Sequence, residues 1–333
     1  MDTEKPLAAV LEEHWNLRPV SVEPIKVREN AVFAVRTIDG SKAVARVHRP
    51  GYHSDSALAS ERTWMLALAQ AGIEVPRHLL SRAGRSFETA RVAGFVGERQ
   101  IDMFHWIEGR QLGSVEQGVS GAAEEIGHIY RDVGRLAARI HTQSSAWNAP
   151  GHFRRHSWDA AGLAGENPFW GRFWELEALN PAQRRLFIRL RESLLRDLPA
   201  VGTTADRYGL IHADLVPENI LVEGSNLQVI DFDDAGFGWH VFELATSLYF
   251  IRREPIYELA RDSLLEGYRE VRPLPEAQQK LLPMFLAARG STYLGWVHTR
   301  KAEPAAQEMT PQLIDMAAAA AEDYLSGTPT GMQ

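Results

Sequence analysis

Residues 210–239 hold four side chains whose types and spacing suit phosphoryl transfer. His212, Asp214 and Asn219 stand as H-x-D-x-x-x-x-N in LIHADLVPENILV, and Asp231 follows the apolar run LQVI in IDFDD. Such a reaction needs one carboxylate to orient the attacking hydroxyl and accept its proton. A neutral oxygen ligand and a second carboxylate must hold Mg²⁺ against the phosphates. Asn219 sits across a short loop from Asp214, and Asp231 returns from a hairpin to the same place. Taken singly, each residue reads as a loop pair or a turn cap. The joint spacing, set between two apolar strand fragments, favours the site.

Other chemistry-bearing residues keep two readings. Asp233 and Asp234 extend the acidic end, to touch a second metal, to position Asp214, or to satisfy backbone N–H groups in a turn. His152 and His156 stand four apart, but Pro and Gly around them argue against a helix and no third metal ligand is near. Phe153, Trp158, Phe169, Trp170, Phe173 and Trp174 either wall an acceptor pocket or pack a small irregular subdomain. Arg154 and Arg155 either hold an anionic acceptor or are solvated. No G-x-G-x-x-G and no Walker A sequence occurs in the chain.

The elements that would position these groups follow from periodicity. A short helix is expected over residues 4–17, from Leu7, Val10, Leu11 and Trp15 on one stripe. Strands are expected at Val20–Glu29, Ala31–Ile38 and Lys42–His48, with Asp39-Gly40 as a hairpin turn. A helix is expected at Ser56–Ala71, ending before Gly72. Val92–Val96 and Arg99–Trp106 read as two further strands, giving about five strands and one inserted helix over 1–107. After Glu108-Gly109 the pattern turns helical: Ile126–His141, Pro181–Leu198, then about 240–253, 255–271, 276–299 and 310–326. Residues 144–171 read as loop, and short strands are expected at Leu210–Ala213 and within Asn219–Ile230.

Composition narrows the rest. The 333 residues include 36 Lys+Arg, 43 Asp+Glu, 12 His and no Cys, for a formal charge of −7. Without Cys there is no disulfide scaffold, thiolate zinc site or Cys nucleophile. Mild acidity argues against nucleic-acid binding. The charged N-terminus is unlike a secretory signal. No stretch approaches about 18 unbroken apolar residues, and MFLAARGSTYLGWV is broken by Arg289, Gly290 and Ser291. A cytoplasmic protein without membrane association is expected; oligomeric state is left open.

HADLVPENILV resembles the catalytic loop, and IDFDD the metal-binding strand end, of the aminoglycoside phosphotransferase and choline kinase superfamily. SKAVARVHRPGYHSDSALASERTWMLALAQAGIEVPRHL resembles the strand–helix region of its stress-response kinase A and type II homoserine kinase group. FHWIEGRQL resembles the hinge, and WNAPGHFRRHSWDAAGLAGENPFWGRFWE a substrate-lobe insertion. In all, the resemblance covers about residues 20–300. It implies an α+β, protein-kinase-like fold with a small β-rich N-lobe, residues 1–107, and a larger, mostly helical C-lobe, residues 108–333. A ligand site is expected in the cleft between such lobes.

Carried over residue by residue, the resemblance makes Asp214 the catalytic base and Asn219 and Asp231 Mg²⁺ ligands, with His212 bracing the loop. Glu61 would pair with Arg46, which stands where kinases usually carry Lys; Lys42, on the same strand face, is the fallback. Arg can still clamp phosphate oxygens with a bidentate fork. The loop over the phosphates, RENAVF, is atypical in lacking glycine, but backbone N–H groups at the Asn30 turn can still approach them. Phe104, His105 and Trp106, with Met103, would lie beside adenine or simply pack in their strand. Glu243 would tie down the catalytic loop in place of the usual Asp.

The expected function is ATP- and Mg²⁺-dependent transfer of the γ-phosphoryl group to an alcohol, a small metabolite hydroxyl. The alternatives are a Ser/Thr protein kinase of the stress-response type, a nucleotide-binding regulator without transfer activity, and a metal-dependent hydrolase using His212 and Asp214.

Overall fold

The computed structural model describes residues 3–27, 30–114, 118–224 and 226–327. The chain divides into two compact units, Met1–Gly109 with Ala149–Arg154, and Arg110–Asn148 with Arg155–Gln333.

The first unit runs α1 (Glu4–Trp15), β1 (Pro19–Val27), β2 (Ala31–Thr37), β3 (Lys42–Val47), α2 (Asp55–Gln70), β4 (Phe87–Arg91) and β5 (Glu98–His105). Its sheet is antiparallel, in the order β1-β2-β3-β5-β4. Strand β2 shows why: Ala31, Phe33, Val35 and Thr37 are buried while Arg36 between them faces water, the period of two that a half-buried strand requires. Leu7, Val10, Leu11 and Trp15 of α1 join the same core, and Trp15 Nε1 donates to Leu79 O (2.8 Å). Ser54 caps α2 by accepting from Ala57 N. Arg154 N donates to Ser60 Oγ (2.8 Å), which ties Ala149–Arg154 to this unit.

The strand expected at Val92–Val96 is instead a turn, and β4 lies just before it. Gly94 and Gly97 both have positive φ there, and Val96 is 87% exposed. An apolar pair beside two glycines does not make a pleated, half-buried surface, whereas the polar run Phe87–Arg91 pairs along its full length with β5.

The second unit holds β6 (Arg110–Gln111), β7 (Gly113–Ser114), β8 (Gly118–Val119), α3 (Ala123–Ala146), β9 (Ser157–Trp158), α4 (Ala160–Ala164), α5 (Pro181–Val201) and β10 (Tyr208–Ile211). It continues through β11 (Ile220–Glu223), β12 (Asn226–Val229), β13 (Gly236–Trp239), α6 (His240–Tyr249), α7 (Tyr257–Val271), α8 (Glu276–Gln279), α9 (Leu282–Thr299) and α10 (Pro304–Ser326). Helix α3 packs on α7 at small residues. A Cβ on Gly134 would lie 2.1 Å from Leu264 O, and one on Gly267 would lie 1.9 Å from Arg131 O. Helix α9 is buried on nearly every side, so it lacks a polar face. The helix expected at 276–299 is broken into α8 and α9 at Lys280–Leu281, with Pro283 in the first turn of α9. Helix α10 starts at Pro304, ahead of the expected 310, and carries Pro311 inside it. Among the described residues no helix is long and apolar enough to cross a membrane.

Candidate active site

Strand β10 delivers His212 and Asp214 into a loop that leaves ordinary backbone space: Ala213 has φ +63°. A residue with a β-carbon in the left-handed region costs free energy and persists only where neighbours over-determine it. Two residues do so. Glu243, on α6, accepts from His212 N (2.9 Å, Oε1) and Ala213 N (2.6 Å, Oε2). From α9, Arg289 Nη1 donates to Ala213 O (3.1 Å). Burial raises the Glu243 carboxyl above its ordinary range, against the pull of His212 and the two backbone N–H groups.

His212 joins the loop to the strand end that carries Asp231. Its Nδ1 accepts from Asp214 N (3.2 Å), so Nε2 holds the ring proton and donates to Ile230 O (3.0 Å). Ile230 N in turn donates to Asn219 O (2.9 Å). Ile230 is therefore bonded to both halves of the H-x-D-x-x-x-x-N segment and passes that position directly to Asp231. Asp231 has φ +65° and an exposed side chain.

Asp214 has a donor on each carboxylate oxygen. Asn219 Nδ2 donates to Oδ2 (2.7 Å) and to Asp214 O (2.9 Å), while Arg289 Nη2 donates to Oδ1 (2.6 Å). Each carboxylate oxygen offers about two lone-pair sites, so the group is fixed in plane and can still accept a further hydrogen bond. Its side chain is 21% exposed. Asn219 spends its amide nitrogen on Asp214, which turns its oxygen to other partners. That amide oxygen and the Asp231 carboxylate are hard donors of the kind Mg²⁺ takes. Two protein oxygens are enough for an ion that also binds substrate phosphates. Among the described residues there is no cluster of three or more His, Cys, Asp or Glu that could hold a metal.

Behind Asp231, segment 155–158 holds the carbonyls of the acidic loop. Arg155 donates to Ala235 O (2.5 Å) and to Asp233 O. Trp158 Nε1 and His156 Nε2 both meet Asp234 O at 3.0 Å. Trp170 Nε1 donates to Asp234 Oδ1 (3.3 Å). Asp233 and Asp234 are buried. His156 is thus engaged with a carbonyl and stacks on Phe169 at 3.7 Å. Trp158 packs edge-on against Phe169 and Trp170 (5.1 and 5.4 Å), and Trp170 meets Tyr293 at 5.6 Å.

In the first unit, Arg46 lies in a buried charge cluster. Its Nη2 donates to Glu61 Oε1 (2.8 Å) and Asp102 Oδ2 (2.6 Å), and its Nε donates to Asp102 Oδ1 (3.1 Å). His48 Nε2 is 3.2 Å from the same Asp102. Burial pushes the Asp102 carboxyl up, but Arg46 and His48 outweigh it and hold it well below the usual carboxylate range. Phe104 is buried with its ring 5.0 Å from the Arg46 guanidinium and 4.4 Å from His78. His105 is exposed, and its N–H donates to Arg77 O (2.9 Å). Lys42 pairs with Glu108 (2.7 Å) and lies 5.4 Å from the Trp106 ring. Asn30 is buried and accepts from Arg49 N (3.1 Å); Arg28 and Glu29 of that loop lie outside the described residues.

Sequence reasoning missed two residues. Asp102 faces Arg46 directly across the β3–β5 ladder, a pairing visible only once the register is known. Arg289 had a signal: a guanidinium in the middle of an apolar helix demands a buried partner.

The chain matches a model of the phosphotransferase enzyme family over residues 21–274. A solved microcompartment-associated aminopropanol kinase superposes with a TM-score of 0.84 at 30% identity, covering 98% of this chain and 99% of that one. An amicoumacin kinase in complex with AMP-PNP, Ca²⁺ and Ami superposes with a TM-score of 0.75 at 20% identity, over 98% and 94% of the two chains. A homoserine kinase of Gluconobacter oxydans is 24% identical over 81% of each chain. The α+β, kinase-like architecture expected from the sequence is that of these structures. The chain belongs to the phosphotransferase enzyme family and is a kinase, a nucleotide-binding transferase of phosphoryl groups to alcohols.

Proposed function

We propose that this kinase moves the γ-phosphoryl group of Mg-ATP to the hydroxyl of a small amino alcohol. The observation that carries the reading is the fixed carboxylate of Asp214, tied through Asn219, His212 and Ile230 to Asp231. The acceptor hydroxyl donates to Asp214 and its oxygen attacks the γ-phosphorus. The bond to the β–γ bridging oxygen breaks, ADP departs, and the hydroxyl proton passes to Asp214. Asn219 and Asp231 are the residues that would hold Mg²⁺, which supplies positive charge against the phosphates. Arg46, braced by Glu61 and Asp102, is assigned to the nucleotide phosphates together with the Asn30 turn; Phe104, His105 and Trp106 are assigned to the adenine side.

The amino-alcohol class rests on similarity to an aminopropanol kinase and to homoserine kinases. An ADP-release screen over amino alcohols, sugars, aminoglycosides and generic protein acceptors tests it. Turnover is expected with aminopropanol, homoserine or a related amino alcohol. Phosphate appearing only on protein Ser or Thr would replace this reading with a protein kinase.

A further inference from the structure

Arg289 is fully buried at the middle of α9, in a helix otherwise lined with apolar and small side chains. Taking a guanidinium out of water costs several kcal/mol, repaid only by close partners and good geometry. Its hydrogen bonds run to Ala213 O (3.1 Å), Asp214 Oδ1 (2.6 Å) and Tyr293 Oη (2.7 Å). The first two belong to the catalytic loop. Its central carbon lies 4.8 Å from the Trp170 ring and 4.4 Å from the Tyr293 ring, so aromatic faces take up what charge the carboxylate does not. A helix that only had to fill this space would carry a Leu or Met.

We propose that Arg289 is a positioning residue for phosphoryl transfer: its planar fork grips the catalytic loop at Ala213 and Asp214 together and aims the Asp214 carboxylate at the acceptor hydroxyl. This rests on the function proposed above. The geometry explains why the residue is Arg. One nitrogen serves the strained backbone at Ala213, a second serves the carboxylate and the Tyr293 hydroxyl, and both lie in one plane. Lysine has a single nitrogen and cannot span the two acceptors in that arrangement. Asn219 fixes the other carboxylate oxygen, so removing Arg289 takes away the donor that holds Oδ1.

The test compares Arg289→Lys, Arg289→Met and Tyr293→Phe with the wild type in full-length protein. Turnover with an amino alcohol is read alongside KM for ATP, the dissociation constant of a fluorescent ATP analogue, and the circular dichroism melt. The Lys and Met variants should lose roughly 10²-fold in kcat, the usual cost of misplacing a reacting group by about an ångström. Nucleotide affinity should stay within about threefold, because Arg289 bonds to Ala213, Asp214 and Tyr293, on the acceptor side of the reaction. Tyr293→Phe, which keeps the ring and the guanidinium, should lose a smaller factor in kcat with the same unchanged nucleotide affinity. If the Arg289 variants do not fold, Tyr293→Phe decides alone. A folded Arg289→Met enzyme within twofold of wild-type kcat overturns the proposal. So does a loss of nucleotide affinity as large as the loss of kcat, or an unaltered Tyr293→Phe where Arg289 cannot be replaced. A wild-type protein inactive on every acceptor contradicts the proposed function instead, which keeps the two failures apart.

Discussion

Glu243 holds Ala213 in left-handed backbone by accepting its N–H at 2.6 Å, while its other oxygen takes the N–H of His212. An acid one turn into α6 thus sets the loop from which Asp214 projects. Replacing Glu243 by Ala leaves two buried N–H groups unmade, at about 1–3 kcal/mol each. The expected outcome is a loss of about 2–6 kcal/mol by urea unfolding, with kcat falling more than KM for ATP changes. Glu243→Gln should fall between, because its amide nitrogen meets one N–H with another donor.

The Arg46 cluster predicts a large effect in the first unit. Arg46→Met would leave Glu61 and Asp102 buried against each other, and breaking such a pair costs about 3–5 kcal/mol. Chemical unfolding measures it. Removing the carboxylate as well, in Arg46→Met with Asp102→Leu, should recover much of the loss. The folded-state carboxyl of Asp102 is depressed, so its stabilisation is present above about pH 3.9 and is lost as pH falls through the lower native value.

A pH dependence also follows from His141 and His240, whose rings stack at 4.2 Å in the interior beside Glu243. Burial lowers both well below the ordinary 6.5. The unfolded chain takes up protons at these residues as pH falls through about 6.5, and the folded chain does not. Stability should therefore fall on acidification by about 1.4 kcal/mol per pH unit for each histidine. Melts between about pH 8 and 5.5 should show this, and His240→Phe should remove one proton from the slope. An unchanged slope in that variant would mean that His240 is charged when folded.

Much of this was legible because it is local. The H-x-D-x-x-x-x-N spacing places Asp214 and Asn219 across one short loop, and the structure brings them to 2.7 Å. The alternation in β2 and the stripe Leu7, Val10, Leu11, Trp15 likewise name their own elements. What stayed hidden depends on distant parts of the chain meeting. Arg289 is 75 positions from Asp214, and Asp102 is 56 from Arg46. The aromatics of 153–174 illustrate the same limit. Their composition suited both a pocket wall and packing, and the bonds from Trp158 and Trp170 to Asp234, which show that these two brace the acidic loop, appear only in the fold.

The central claim is that Asp214 serves transfer to a hydroxyl. Phosphorus NMR of the full-length protein with Mg-ATP and aminopropanol, followed in wild type and Asp214→Asn, tests it most directly. The expected result is a phosphate ester resonance growing in step with ADP, slowed roughly 10²–10⁴-fold in the variant, the range for loss of a general base. ADP accumulating with inorganic phosphate and no ester, or an Asp214→Asn enzyme as fast as wild type, would contradict the account.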